Sequence, residues 1–396
     1  FLPANVGWRH LDPAIGLSPL AAPRYQAVGT VLSNSFGFGG NNAALVLAEP
    51  HRKAAPPVHR PDRAFKVRGY ACLTGAGGTR ATLQRFFEGR SCKGFLAAER
   101  LTEGLPPRAV RRMKRLARMA VGLASATLRQ AAADRPVADV YFGTAWGALS
   151  ETHDFLDKLY ATQEFFTSPI DFVGSVHNAP AGQVAMRDKA RGANVTMTGG
   201  DSSFEQALAA AHYLAAGRRE PVLVGGGDEF HAVFSALFDP SVPLDETPSD
   251  GGGMLLLEPV VGAPGPTLKP GYFAPAGPVP ETLRSAVAHH GGPRGFNGRI
   301  GAVLIGLPAA CRSAFEPHLT PLWQEVGFQG PVIDYRSYFG EFAAASAVAA
   351  VAAMALLARG AVPAALTGAD ERTLDGRGIL LLGLGTTVTT MLAEAQ

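Results

Sequence analysis

The chain has 396 residues, 47% of them hydrophobic and 17% charged, with 47 glycines and 30 prolines. That is enough for a large core and two or more domains, and too apolar for a disordered chain. Thirty-six Lys and Arg against 33 Asp and Glu leave a net charge of +3, too mild a bias to argue for nucleic acid, and no aromatic-interleaved basic motif makes that argument instead.

Cys72, Cys92 and Cys311 are widely spaced, form no CxxC or Cys/His cluster, and suggest neither a zinc site nor a disulfide framework; a reducing cytoplasm fits. His177, His212 and His231 are scattered without metal-ligand spacing. No signal peptide is visible, and the chain begins at Phe1, as would a fragment, a processed product or the ordered part of something longer.

In chain order, residues 1–49 close with a Gly-rich loop and a strand-like run, Ala43–Leu47. Residues 50–64, PHRKAAPPVHRPDRA, are rich in proline and basic residues without an apolar period and read as a linker. From Phe65 a strand, VRGYACLTGAG, runs into a Gly-rich turn and a short helix, TRATLQRFFEGR. Residues 106–133 carry helical periodicity, with Met113, Leu116, Met119, Ala120 and Leu123 on one face, and predict one helix starting at Pro106 and Pro107. Its first part, RAVRRMKRLAR, is strongly basic.

ADVYFGTAW is a predicted strand with a helix from about Ser150 to Tyr160 after it. ANVTMTGG is a strand breaking into a Gly turn before the helix SSFEQALAAAHYLAAG, and PVLVGGGDEF and GGGMLLLEPV are buried strands. The second part repeats the rhythm: TLKPGYFAPAG, RIGAVLIGL and PVIDYRS are strands, Phe342–Ala358 is an Ala-rich apolar stretch, and RGILLLGLGTTVTTMLAE closes the run. Phe342–Ala358 falls just short of a membrane span and reads as a buried core helix. The alternation predicts α/β layers; the two parts, 65–262 and 263–396, share the rhythm but only faint direct similarity.

Leu32–Leu47, LSNSFGFGGNNAALVL, resembles the C-terminal loop and last strand of β-ketoacyl synthases, usually NSFGFGGTNASLVL. Consecutive glycines let the backbone approach a thioester closely, and two phenylalanines can wall an acyl channel. The resemblance implies an active-site loop of Phe36, Gly37, Phe38, Gly39, Gly40 and Asn42, with Phe38 as the gate and Asn42 fixing the loop; Asn41 replaces the usual Thr. Residues 1–17, with Asn5, Asp12, Gly16 and Leu17, resemble the run that precedes this loop. Residues 1–49 are therefore expected to complete a synthase body absent from this sequence. A strand alone has no sheet to join.

Residues 65–396 resemble a second, whole synthase in correct order. VRGYACLTGAG matches its opening strand, ANVTMTGGDSSFEQALAAA the nucleophile elbow and helix, PVLVGGGDE the next strand, and SDGGGMLLLE the strand after it. The implied fold is α/β, a thiolase-like αβαβα layered fold with internally duplicated halves. The family needs a Cys at a helix N-terminus, where the macrodipole lowers its pKa, and two His residues that stabilise an enolate oxyanion. Here the elbow residue is Asp201, which cannot hold a transferable thioester. The first His motif falls at Ile305–Ala309 with no His, the second at Gly340–Ala345 with Glu341 in its place, and the final loop becomes LLLGLGTTV. No catalytic residue is expected on this chain.

Asp201 is read as the N-cap of the helix behind it, the alternative being an acid/base pair with Glu341. Cys72 and Cys311 read as core thiols. The resemblance implies a non-catalytic, chain-length-factor-like homologue beside an active ketosynthase, condensing acyl and malonyl thioesters on an acyl carrier protein. No cofactor is expected beyond the 4'-phosphopantetheine that the carrier delivers. Arg108, Arg111, Arg112, Lys114, Arg115 and Arg118 would receive the acidic carrier or form an ordinary solvated face. The rival readings are a carrier-binding scaffold and an acyltransferase or hydrolase rebuilt on Asp201, Ser202 or Glu341. The location expected is the cytoplasm, with no nucleic acid and no membrane span.

Overall fold

The computed structural model describes residues 1–36, 42–49, 64–133, 135–165, 168–215, 219–238, 247–260 and 265–395. The chain divides into two compact units, residues 1–59 and residues 60–396. In the first, β1 (Thr30–Phe36) and β2 (Asn42–Ala48) pair antiparallel from Thr30↔Ala48 to Phe36↔Asn42. Side chains alternate between the two faces of a strand, so the exposure of consecutive Val31 and Leu32, and of Leu45, Val46 and Leu47, leaves both faces open. Gly37, Phe38, Gly39 and Gly40, like linker residues 50–63, lie outside the described residues.

The second unit opens with β3 (Ala64–Thr74), which takes in Ala64, the last residue read as linker, and is hooked by β4 (Gly77–Gly78). There follow α1 (Thr79–Phe87), α2 (Pro107–Val110), α3 (Arg115–Gln130), β5 (Asp139–Gly143), α4 (Leu149–Ala161), α5 (Pro169–Ser175) and α6 (Ala179–Asp188). Next come β6 (Asn194–Met197), α7 (Ser203–Leu214), β7 (Val222–Asp228), α8 (Phe234–Phe238) and β8 (Gly251–Val260). The later part runs β9 (Thr267–Pro275), α9 (Val279–His289), α10 (Gly292–Arg299), β10 (Ile300–Gly306), α11 (Arg312–Val326), β11 (Val332–Asp334) and α12 (Arg336–Phe339). It ends with α13 (Ala345–Arg359), β12 (Ala361–Val362), α14 (Ala364–Thr367), β13 (Arg372–Thr373), β14 (Gly378–Leu384) and β15 (Thr387–Glu394).

The sheet carries the duplication. Its earlier part has the order β6-β5-β7-β8-β3 and its later part β11-β10-β14-β15-β9. Each places its third, second, fourth, fifth and first strands side by side. In each the third, second and fourth strands are parallel and the last two pairings antiparallel. The two parts meet at one corner, Lys66↔Thr267.

α7 and α13 each pack on strands of both parts and form the central layer; α3 and α6 cover the earlier part from outside, and α9 and α11 the later. The predicted core helix is α13, buried from Ala345 to Leu357. Its alanines let it sit close to the sheet: a Cβ on Gly253 of β8 would collide with the Ala347 carbonyl. No helix among the described residues is long and apolar enough to cross a membrane.

One expectation is corrected. The helix predicted over 106–133 is two elements, α2 and α3, broken at Arg111–Lys114. The apolar period holds through α3, but the basic stretch before it turns so that Arg115 can reach inward.

The sheet's edges are unlike. β11 has three residues, and β9, paired with β3 at a single position, carries Pro270 and Pro275, which withhold backbone donors. β6 has neither proline nor charge and is partly exposed.

Candidate functional site

The elbow lies where β6 gives way to α7, and α13 begins beside it, so two helix N-termini with their partial positive charge converge at the centre. Asp201 sits in a single 3-10 turn, Gly200–Ser202, and does not cap α7; the N-cap position is Ser202, which makes no side-chain capping bond. The carboxylate of Asp201 is drawn away by a cation. Arg336 Nη2 donates to Asp201 Oδ1 at 2.5 Å, and Nη1 donates to Glu341 Oε2 at 3.1 Å.

Arg336 is buried, with 3% of its side chain exposed, against 5% for Glu341 and 31% for Asp201. Its guanidinium also donates to the Phe342 and Ala343 carbonyls at 3.3 and 3.4 Å, which occupies the entrance to α13. Burial works against its charge, but Asp201, Tyr335 and Glu341 outweigh burial and raise the arginine above its ordinary value. Gly340, with φ of 97°, makes the turn that delivers Glu341; a side chain there would meet Ser249.

The sequence-based pair of carboxylates is thus brought together, but around a guanidinium. An acid/base pair must present its carboxyls to a substrate, and here the guanidinium between the two takes up an oxygen of each. Ser202 donates to the Gly199 carbonyl and accepts from Gln206, while Ser203 donates to the Gly200 carbonyl and accepts from the Gly199 amide. Neither hydroxyl meets an imidazole in these bonds. Of the scattered histidines, His212 reaches the Leu268 carbonyl and the His231 ring lies tilted against that of His153, 4.7 Å between centroids. His177 lies against Gly147. Among the described residues no group of three His, Cys, Asp or Glu could hold a metal ion.

Two further buried carboxylates tie the halves together. Glu205 on α7 accepts from Ser346 on α13 at 3.0 Å and from Thr389 on β15 at 3.4 Å. Burial pushes its carboxyl up to about 7, against the pull of Ser346 and of Arg336. Asp228, at the end of β7, accepts from Thr144 Oγ1 at 2.7 Å, from the Ala145 amide at 2.8 Å and from the Ala344 amide at the start of α13 at 2.8 Å. Burial nevertheless raises it above the ordinary carboxylate value.

The first His position is the end of β10 and the loop after it, with no imidazole at Ile305–Ala309. The final loop is the tight turn of the β14–β15 hairpin. Its tip reaches the elbow: a Cβ on Gly385 would come within 3.3 Å of the Asp201 Cβ. Cys72 is a buried core thiol, pushed by burial up to about 12, and Cys92 likewise to about 11. Cys311 is only partly buried and close enough to the site to feel Asp201, Arg336 and Glu341; burial, then Asp201, raises its thiol, which disfavours the nucleophilic thiolate.

The six basic residues also separate. Arg108, Arg111 and Arg112 are exposed. Arg115 grips Asp250, whose side chain is 2% exposed, and its guanidinium lies 5.4 Å from the Phe95 ring. Lys114 pairs with Asp154, and Arg118 donates to the Met113 carbonyl at 2.8 Å.

Sequence reasoning missed Arg336, Glu205 and Asp228. The available signal was an arginine, in DYRSYFGEF, five residues before a carboxylate placed at a buried helix start. Such a carboxylate in the interior calls for a cation.

Residues 96–244 match the sequence profile of the family described as beta-ketoacyl synthase, N-terminal domain. No curated protein matches the chain by sequence. Among solved structures, the ishigamide ketosynthase/chain length factor is similar at 19% identity and a TM-score of 0.63, over 84% of this chain and 99% of that one. The ketosynthase ApeO in complex with its chain length factor ApeC, from Xenorhabdus doucetiae, is similar at 16% identity and a TM-score of 0.64, over 87% and 100%. The PfaC keto synthase–chain length factor is similar at 14% identity and a TM-score of 0.67, over 93% of this chain but 47% of its own length. The second unit shares the fold of these ketosynthase structures, the α/β layered fold that its motifs imply.

Proposed function

We propose that this protein is the chain-length-factor-like, non-catalytic partner of an active β-ketoacyl synthase, joined to the C-terminal hairpin of that synthase. The observation that carries the reading is the elbow: Asp201, which the motif match sets at the nucleophile's position, is held by Arg336, which also holds Glu341, so the elbow residue is an engaged carboxylate and not a thiol.

The hairpin supports the first unit's role. β1–β2 and β14–β15 are both antiparallel and both end in Leu-Ala-Glu, at Leu47–Glu49 and Leu392–Glu394. In the second unit the hairpin is flanked by β10 and β9 and touches the elbow with its tip. By this internal analogy β1 and β2 would take the matching place in a synthase body, which would bring the Phe38 loop to that body's cysteine. The match to PfaC also covers more of this chain than residues 60–396 alone contain.

The pairing surface has support of its own. The open edge of β6 adjoins α6, and α5, on which no residue is buried, packs against α6. Exposed Tyr160, Phe165, Ile170, Phe172, Val173 and Met186 make this side apolar, as expected where another protein docks. The synthase would add its own strand edge here. Exposed Arg108, Arg111 and Arg112 remain the basic residues suited to an acidic carrier protein, which brings the acyl group on 4'-phosphopantetheine.

Incubating the protein with acyl- and malonyl-carrier thioesters and weighing the chain tests the inactive site. Its mass is expected to stay unchanged. An acyl adduct on Ser202, Asp201 or Cys311 would favour the rebuilt acyltransferase instead.

A further inference from the structure

The apolar side formed by α4 and α5 rests on a cluster of acids that the elbow does not use. Glu229, just after β7, accepts from the Ser150 amide at 2.8 Å and the Ser150 hydroxyl at 2.7 Å, and so holds the first turn of α4. Glu151, the next residue of α4, accepts from the Lys114 amide at the start of α3 at 3.0 Å. Its other oxygen, Oε2, is buried without a partner. Asp250, ahead of β8, is the third acid.

The cations around the cluster are already engaged. Arg115 of α3 is committed to Asp250, and the Lys114 ammonium to Asp154. Arg118 faces Glu151 but donates to the Met113 carbonyl. His231 and His153 lie tilted against each other, and burial, then His153 and Lys114, lowers His231. Glu229, bonded to Ser150, and Glu151, the residue after it, are left near enough to repel each other; neutral donors satisfy both oxygens of Glu229 but only one of Glu151.

We propose that Glu229, Glu151 and Asp250 form a pH-set seat for the α4–α5 pair. One proton carried by these two glutamates keeps the pair down, and losing it sets two buried carboxylates against each other and loosens the pair.

The direction follows from the environment. Burial pushes Glu229 up to about 7, with Glu151 and Asp250 adding to the rise, and burial raises Glu151 as well. A carboxyl raised in the folded state holds its proton there more tightly than in an opened one. Its contribution to stability is full below the ordinary glutamate value and is lost as pH rises through about 7. Regulation of partner docking through this seat rests on the proposed function, because only that reading turns the α4–α5 face toward a synthase. The seat itself does not depend on it.

Hydrogen exchange of the full chain at pH 5.5 and 7.5, corrected for intrinsic rates, separates the two. Protection of residues 149–175 is expected to fall on the order of tenfold across this range, as one proton is released on opening. Glu229→Gln should abolish the fall, Glu151→Gln should reduce it by removing the repelling neighbour, and Glu205→Gln should leave it in place. An unchanged α4–α5 protection, a fall shared equally by α7 and α13, or a fall that persists in both Glu229→Gln and Glu151→Gln would overturn the seat. None of these outcomes involves a partner, so the pairing reading would survive them.

Discussion

Arg336→Met is expected to destabilise the second unit by roughly 3–5 kcal/mol, because breaking a buried ion pair strands its partners without compensation. Glu341 would be left buried beside a sulfur and Asp201 half-sheltered at the elbow. The triple variant Asp201→Leu/Arg336→Met/Glu341→Met should lie within about 2 kcal/mol of the native chain, since replacing a whole buried ionic group by apolar side chains of similar volume is often neutral or stabilising. Urea unfolding of the two variants measures both values. A single variant as stable as the native chain would mean that Arg336 does not hold the elbow together. A triple variant no better than the single one would mean that the charges are needed together for the fold.

Asp228→Ala should be the other severe change, costing above about 3 kcal/mol, because each buried donor left unpaired costs about 1–3 kcal/mol. Thr144 Oγ1, the Ala145 amide and the Ala344 amide all lose their acceptor at once. Ala344 precedes α13 and Thr144 follows β5, so the loss falls where the central helix α13 packs against the earlier part of the sheet. Asp228→Asn keeps one acceptor oxygen and should fall between the alanine variant and the native chain. Equal midpoints for Asp228→Ala and the native chain would contradict this role.

Much of the architecture was legible because its signals are local. The strands around GGGDE and GGGML, the elbow helix and the Ala-rich α13 each carry period, glycine and length within one segment. The duplicated order of the sheet depends on pairings between distant strands, so the faint sequence likeness of the two halves only hinted at it. The basic stretch was misread as part of one helix because Arg115 satisfies helical spacing equally well from a solvated face or from a buried pair; Asp250, 135 residues away, decides between them.

The same limit applied at the site. The losses at the elbow and at both His motifs could be read from single positions, and Glu341 fell where the motif put it. The partner that holds Asp201 could not, because Arg336 lies on a different element and no spacing links them. Asp201 looked like a cap because Asp before SSFEQ suits one; a cation in reach proved the stronger partner.

Intact mass of the purified protein, under native and then denaturing conditions, tests the central claim most directly. The account predicts that a second polypeptide segment carrying a reactive cysteine accompanies this chain in one-to-one ratio, either as a separate chain or as added mass on the same one. That segment, and not residues 60–396, should take up acyl groups. This chain alone, as a monomer or a homodimer with no synthase body, would contradict the account, because β1 and β2 would then have no sheet to complete.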